Sequence, residues 1–190
     1  LASLIQFTVP GAPTVYYGDE VGLTGDDDPD DRRTYPWPDR GGEPDRSLFL
    51  HYFVLNTLRR TQNALDDGDF KILLADDTNQ IVAYGRKTEK QAALIVINRG
   101  DADQAFTIPV AGYLPNGVLL KKVYAVGRAD PRQVTVTNGN VTGNIGPLSA
   151  VILISGRVDL KPTAAPANLH VVDVGDGTAS LAWDAVPGSA

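Results

Sequence analysis

Cysteine is absent from the 190-residue chain. That excludes a disulfide framework, a thiolate metal site and a cysteine nucleophile, and it leaves the compartment open. Positive charge is scarce: 17 Lys and Arg stand against 23 Asp and Glu, for a formal net charge of −6. Nucleic-acid binding needs a basic face, so no such partner is expected. No apolar run approaches the ~20 residues that span a bilayer, so no membrane span is expected either. Residues 1–7 are too short and too uncharged to act as a signal peptide. The two histidines, His51 and His170, have no Ser or Asp at recognisable spacing, which leaves a hydrolase triad unsupported. No glycine-rich phosphate loop occurs.

What remains is an ordinary globular composition, 43% hydrophobic and 21% charged, whose acidity favours solubility. The length suits one large domain or two small ones. Residues 1–8 read as the end of an apolar helix, stopped by Pro10-Gly11. The run Thr14-Val15-Tyr16-Tyr17, fenced by Pro13 and Gly18, reads as a fully buried strand of a parallel sheet. A polar loop dense in Asp and Arg follows, to Arg46. Ser47 then offers an N-cap for a helix to about Ala64, with Arg59 and Arg60 at its carboxyl end. Helix, strand, long loop and helix make the rhythm of an α/β barrel's closing quarter, and in such barrels ligand chemistry sits on the loops at the carboxyl ends of strands.

From Phe70 the hydrophobic period becomes alternating. Strands are expected at 70–74, 81–86, 92–98, 105–110, 119–124, 133–136, 141–142 and 149–154, separated by clusters such as Asn98-Arg99-Gly100 and Asn138-Gly139-Asn140. Short strands at close spacing predict an antiparallel sandwich. Residues 159–166 read as a linker stiffened by Pro162 and Pro166, and two further strand-like runs follow around 166–171 and 179–184.

The order Pro13-Thr14-Val15-Tyr16-Tyr17-Gly18-Asp19-Glu20, then Gly25 followed by Asp28-Pro29-Asp30-Asp31-Arg32-Arg33 and Trp37, resembles the last strand and βα-loop of the α-amylase family, glycoside hydrolase family 13. The likeness is to its neopullulanase, cyclomaltodextrinase and amylopullulanase group, with P-x-x-Y-Y-G-D-E running into G-x-x-D-P-x-x-R-R-x-x-x-W. The resemblance implies a fold that is α/β and then all-β. The last strand and helices of a TIM (β/α)8 barrel would occupy 1–66, and an antiparallel β-sandwich, domain C, would occupy 67–158 with 93–98 as its central strand. After the linker, 167–190 resembles the start of a truncated fibronectin type III domain, with Trp183 in the place of its core tryptophan. Such sandwiches need ~100 residues, so a truncated reading frame and a poorly packed 163–190 are expected.

Asp28 and Arg32 are the expected substrate-binding pair, since a planar donor fork beside an acceptor suits vicinal sugar hydroxyls. The alternative is a structural ion pair that holds the loop. The resemblance implies that residues at these two positions contact a glucose unit on the non-reducing side of the cleaved bond. Asp19 and Glu20 are read as loop anchors, because neighbours at the end of an extended strand point to opposite sides and a retaining glycosidase needs its carboxyls ~5–5.5 Å apart. No catalytic residue is expected in this chain; the resemblance places the reacting carboxylates upstream of Leu1. The acidic run 26–31 lacks the glycine and closing Glu of an EF-hand, with Asp31 and Trp37 at those positions, so no metal site is expected. Calcium belongs, by resemblance, to other segments of the parent enzyme. Tyr35 and Trp37 either stack on sugar rings or pack the loop.

The function these residues imply is the carboxyl-terminal part of a retaining α-glucan hydrolase acting on starch, pullulan, glycogen or cyclodextrins, inactive as an isolated piece. A transglycosylase of the same family and a non-catalytic carbohydrate-binding or spacer module are the rivals. The partner is an α-glucan, no protein partner is evident, and the modular tail implies an extracellular or cell-surface enzyme.

Overall fold

The structure, a computed structural model, describes residues 1–130, 132–160, 167–175 and 177–184. Its first element, helix α1 (Ala2–Thr8), stops where Val9 turns extended ahead of Pro10. The run 14–17 then departs from expectation. It forms no strand, and Val15, Tyr16 and Tyr17 are exposed. A buried parallel strand needs a ladder on both edges, and every described sheet is built from residues beyond 70. The run is held instead by Gln6, whose side-chain amide donates to Thr14 O.

Helix α2 (Arg46–Thr61) begins two residues earlier than Ser47 would place it, because Asp45 is the N-cap. The Asp45 carboxylate accepts from the backbone N–H of Ser47 at 2.8 Å and of Leu48 at 3.0 Å, and Ser47 Oγ donates to it as well. Gln62, with extended dihedrals, interrupts the expected single helix before a short α3 (Asn63–Asp66).

Nine strands follow: β1 (Lys71–Asp76), β2 (Ile81–Lys87), β3 (Ala92–Asn98), β4 (Gln104–Pro109), β5 (Leu119–Val126), β6 (Ala129–Asp130), β7 (Gln133–Thr135), β8 (Asn140–Ile145) and β9 (Ser149–Ser155). The eight expected strands are all present; the two-residue β6 is additional. They make an antiparallel six-stranded sheet, β1-β2-β3-β9-β5-β7, facing a three-stranded one, β4-β8-β6. Asn138 and Gly139, both at positive φ (50° and 70°), turn the chain tightly into β8, as Asn-Gly does in a hairpin.

Strands β3 and β9 lie at the middle of the large sheet and are buried throughout. On one face Leu94, Val96, Val151 and Leu153 pack against Phe106, Ile108, Val141 and Ile145 of the small sheet. On the other, Ile95, Ile97, Ile152 and Ile154 pack against Leu4, Phe7, Leu55 and Leu65 of the helices. Burial on both faces is why these antiparallel strands read as continuous apolar runs. Each such side chain contributes roughly 1.5–3 kcal/mol of transfer free energy.

Polar clasps fix the helices to this sheet. Arg86 on β2, 2% exposed, donates to the carbonyls of Thr8, Asp66, Gly68 and Asp69. Two of those acceptors end α1 and α3, where a cation also meets the negative end of the helix dipole. Arg59 on α2 donates to Val9 O at 2.8 Å and Gly11 O at 2.7 Å, holding the chain as it leaves α1. Residues 1–160 form one compact unit.

The second unit comprises Lys161–Ala190. Its described part is a hairpin of β10 (His170–Gly175) and β11 (Thr178–Ala182), with exposed side chains along both strands apart from the half-buried Ala182. Trp183, expected at a core position, is 55% exposed, because nothing described in this unit packs over it. Residues 161–166, most of the expected linker, and 185–190 lie outside the described residues.

Candidate substrate-binding loop

The loop from Gly18 to Asp45 rests on α2 through the Asp45 N–H, which donates to Val21 O at 3.0 Å. Gly18 and Gly22 bracket a 3-10 turn, Asp19–Val21, at left-handed φ of 95° and 74°. Within the turn, Glu20 Oε2 accepts from Gly18 N–H at 2.9 Å, so this carboxylate is spent on the backbone. Asp19 is exposed.

A second 3-10 turn, Asp30–Arg32, follows a cis Asp28–Pro29 peptide and brings Asp28 and Arg32 together. Arg32 Nε donates to Asp28 Oδ1 at 3.0 Å, and Nη2 meets the same oxygen. Both side chains are more than half exposed. A longer ion pair joins Arg32 Nε to Asp31 Oδ1 at 3.9 Å. Among the described residues no hydrogen bond reaches Arg32 Nη1 or Asp28 Oδ2, so the pair keeps N–H donors and a carboxylate acceptor open to solvent.

The next arginine is placed differently. Arg33 grips both oxygens of Asp30, through Nε at 2.8 Å and Nη2 at 2.5 Å, and its Nη1 reaches Thr24 Oγ1 at 3.4 Å. Its carbonyl accepts from Tyr17 OH at 2.9 Å. Arg33 holds the Asp30 carboxyl below the usual carboxylate range, helped by a hydrogen bond from Asp26 N–H.

Tyr35 and Trp37 stand 4.6 Å apart, ring to ring, at the edge of a hollow of about 400 Å³ that Val21, Pro44, Arg46 and Phe49 also line. A second hollow of about 410 Å³ lies between Phe7, Pro13, Val15, Glu20, Tyr52 and Phe53. Asp28 and Arg32 line neither. Among the described residues no group of three or more His, Asp or Glu side chains is arranged to hold a metal ion. In the acidic run, Asp28 and Asp30 are paired with Arg32 and Arg33.

Spacing gave no hint of one further array. His51 Nε2 lies 2.7 Å from Ser3 Oγ and its Nδ1 2.6 Å from Tyr124 OH, joining α2 to α1 and β5. The ring is half-buried, and that burial lowers its pKa.

The order of elements (a loop bearing an outward Arg–Asp pair, a helix, then a sandwich sharing its large sheet with the helices) can be compared with known proteins. No protein-family model matches the chain. It is 33% identical over 199 aligned residues to an amylopullulanase of Thermoanaerobacterium saccharolyticum, an alignment that takes in 100% of this chain and 15% of that protein. It is 40% identical over 102 residues to a cyclomaltodextrinase of a Bacillus species, covering 54% of this chain and 18% of the relative. Among solved structures, an Anoxybacillus α-amylase superposes with a TM-score of 0.68 at 27% identity, over 82% of this chain and 31% of that one. The chain thus spans less than a fifth of these two relatives' own length and less than a third of that structure. These likenesses, with the antiparallel sandwich, define the fold class as that of the α-amylases and their relatives. The chain belongs to the α-amylase family, glycoside hydrolase family 13, in the group of amylopullulanases, cyclomaltodextrinases and neopullulanases.

Proposed function

We propose that the chain is the carboxyl-terminal part of a retaining α-glucan hydrolase, secreted or held at the cell surface, that acts on starch, pullulan or cyclodextrins. The observation that carries this reading is the exposed Asp28–Arg32 pair in its D-P-x-x-R setting, with a donor and an acceptor left over. In this reading the pair holds a glucose unit on the non-reducing side of the cleaved bond: Arg32 donates to one hydroxyl while Asp28 accepts from its neighbour. The reacting carboxylates, and any calcium, are supplied by polypeptide outside this chain. Cleavage proceeds by double displacement, with one carboxyl acting first as acid and then as base.

The test is made on the full-length protein that the gene encodes, by following reducing ends released from maltoheptaose and pullulan. Hydrolysis is expected, with KM raised about tenfold in Asp28→Ala and in Arg32→Ala, since each removes a charge-assisted hydrogen bond. The 190-residue chain alone is expected to release none, because a barrel needs about 250 residues. A full-length protein that hydrolyses no α-glucan would sink the proposal.

A further inference from the structure

The two adjacent arginines of the loop differ in their partners, and that difference bears on how the substrate pair is held. Arg32 hydrogen-bonds one oxygen of Asp28 and has a longer ion pair with Asp31 at 3.9 Å. Arg33, its side chain 46% exposed, contacts three separate stretches of chain. Its fork chelates Asp30, its Nη1 meets Thr24 on the limb entering the loop, and its carbonyl receives the hydroxyl of Tyr17 from the run before it. Asp30 passes the constraint on, because its Oδ2 also accepts from Asp26 N–H at 2.9 Å. The entering limb lies close against the turn: a Cβ at Gly25 would sit 2.8 Å from Asp30 O and Asp31 Cα. Asp28 and Arg32 both fall between these ties.

We infer that Arg33 is a positioning residue for the sugar-binding pair, closing the neck of the 24–33 loop so that Asp28 and Arg32 meet a pyranose at fixed separation. The inference rests on the reading of that pair as a substrate contact. Arg33 itself reaches no substrate; its effect passes through Asp30 and the loop backbone. Each ion pair at this depth would contribute little alone. A chelate tied into three chain segments acts instead on geometry, and small displacements of a binding group weaken binding strongly. The guanidinium shape is required, because an ammonium cannot span both oxygens of Asp30 and Thr24 Oγ1 together.

The experiment compares Arg33→Ala, Arg33→Lys and the exchanged pair Asp30→Arg/Arg33→Asp with Asp28→Ala and Arg32→Ala in the full-length enzyme. KM and kcat on maltoheptaose are measured together with amide exchange across residues 24–33. Arg33→Ala and Arg33→Lys are each expected to raise KM about tenfold, with kcat within about twofold and faster exchange in the loop. The exchanged pair should recover part of the KM. If Asp28→Ala and Arg32→Ala raise KM while Arg33→Ala changes neither KM nor exchange, Arg33 has no positioning role and the inference falls alone. If none of the five variants moves KM, the sugar contact falls first and the inference with it.

Discussion

Arg86 Nη1 lies 3.1 Å from Thr8 O, a hydrogen bond between β2 and the last residue of α1 across 78 positions of sequence. The same guanidinium also serves Gly68 and Asp69. Replacing it by Met leaves buried carbonyls without donors, and a loss of about 3 kcal/mol is expected from urea midpoints at constant m-value. Lys should not rescue, since a point charge cannot reach acceptors spread around a planar fork. A loss below 1 kcal/mol for Arg86→Met, about the net worth of one ordinary hydrogen bond, would show that water replaces the side chain.

Gly85 lets the Tyr113 ring lie on the sheet: a Cβ there would stand 2.3 Å from Tyr113 Cε1. Tyr113 cannot retreat freely, because its hydroxyl donates to Asp69 at 2.6 Å and Lys87 Nζ sits 4.7 Å above its ring. Gly85→Ala should therefore destabilise by about 1–3 kcal/mol. In a double-mutant cycle with Tyr113→Ala, the two losses should sum to more than the double variant shows. Strict additivity would mean that the ring moves aside without cost.

The His51 array makes stability depend on pH. Burial lowers the histidine's native pKa from 6.5, so the unfolded chain takes up the proton first as pH falls. Stability is then present above pH 6.5 and declines as the pH drops through the window between that value and the lower native pKa. His51→Gln should flatten the decline between about pH 7 and 5, measured as Tm against pH. An unchanged slope would assign the decline to other groups.

The helix cap discriminates between two neighbouring candidates. Asp45→Ala should lower Tm and Ser47→Ala should lower it far less, because the carboxylate accepts both backbone N–H groups. The hydrogen bond from Leu48 N–H, joined by those from Ser47, holds the Asp45 carboxyl below its ordinary value of 3.8. Its contribution is therefore kept at neutral pH and lost only in acid, as pH falls below 3.8 through the native pKa. A Tm loss for Asp45→Ala that persists in full well below that value would show that the charge is not what caps the helix.

The strands were legible because their sequence carries the pattern of their faces. Ala93, Ile95 and Ile97 meet helices while Leu94 and Val96 meet the second sheet, and a chain that must satisfy both is apolar throughout. At 14–17 the same signal finds no partner strand among the described residues. Asp45 and Ser47 are both good capping residues, and only the dihedrals of Asp45 decide between them. His51 gave no sign of its partners, which lie 48 and 73 positions away. For Arg32 and Arg33 the motif names two adjacent residues of one type. Which faces out and which ties the neck depends on the turn between Asp30 and Arg32, and composition does not encode that.

The sheet shared between helices and sandwich bears on how the protein can be dissected. A proteolytic or genetic cut near Gly68 would strip Tyr84, Ile95 and Ile152 of their cover and leave the guanidinium of Arg86 facing water over a bare hydrocarbon wall. The sandwich excised in that way would carry a sticky flank, and its solubility would depend on retaining α1, α2 and α3 as a lid.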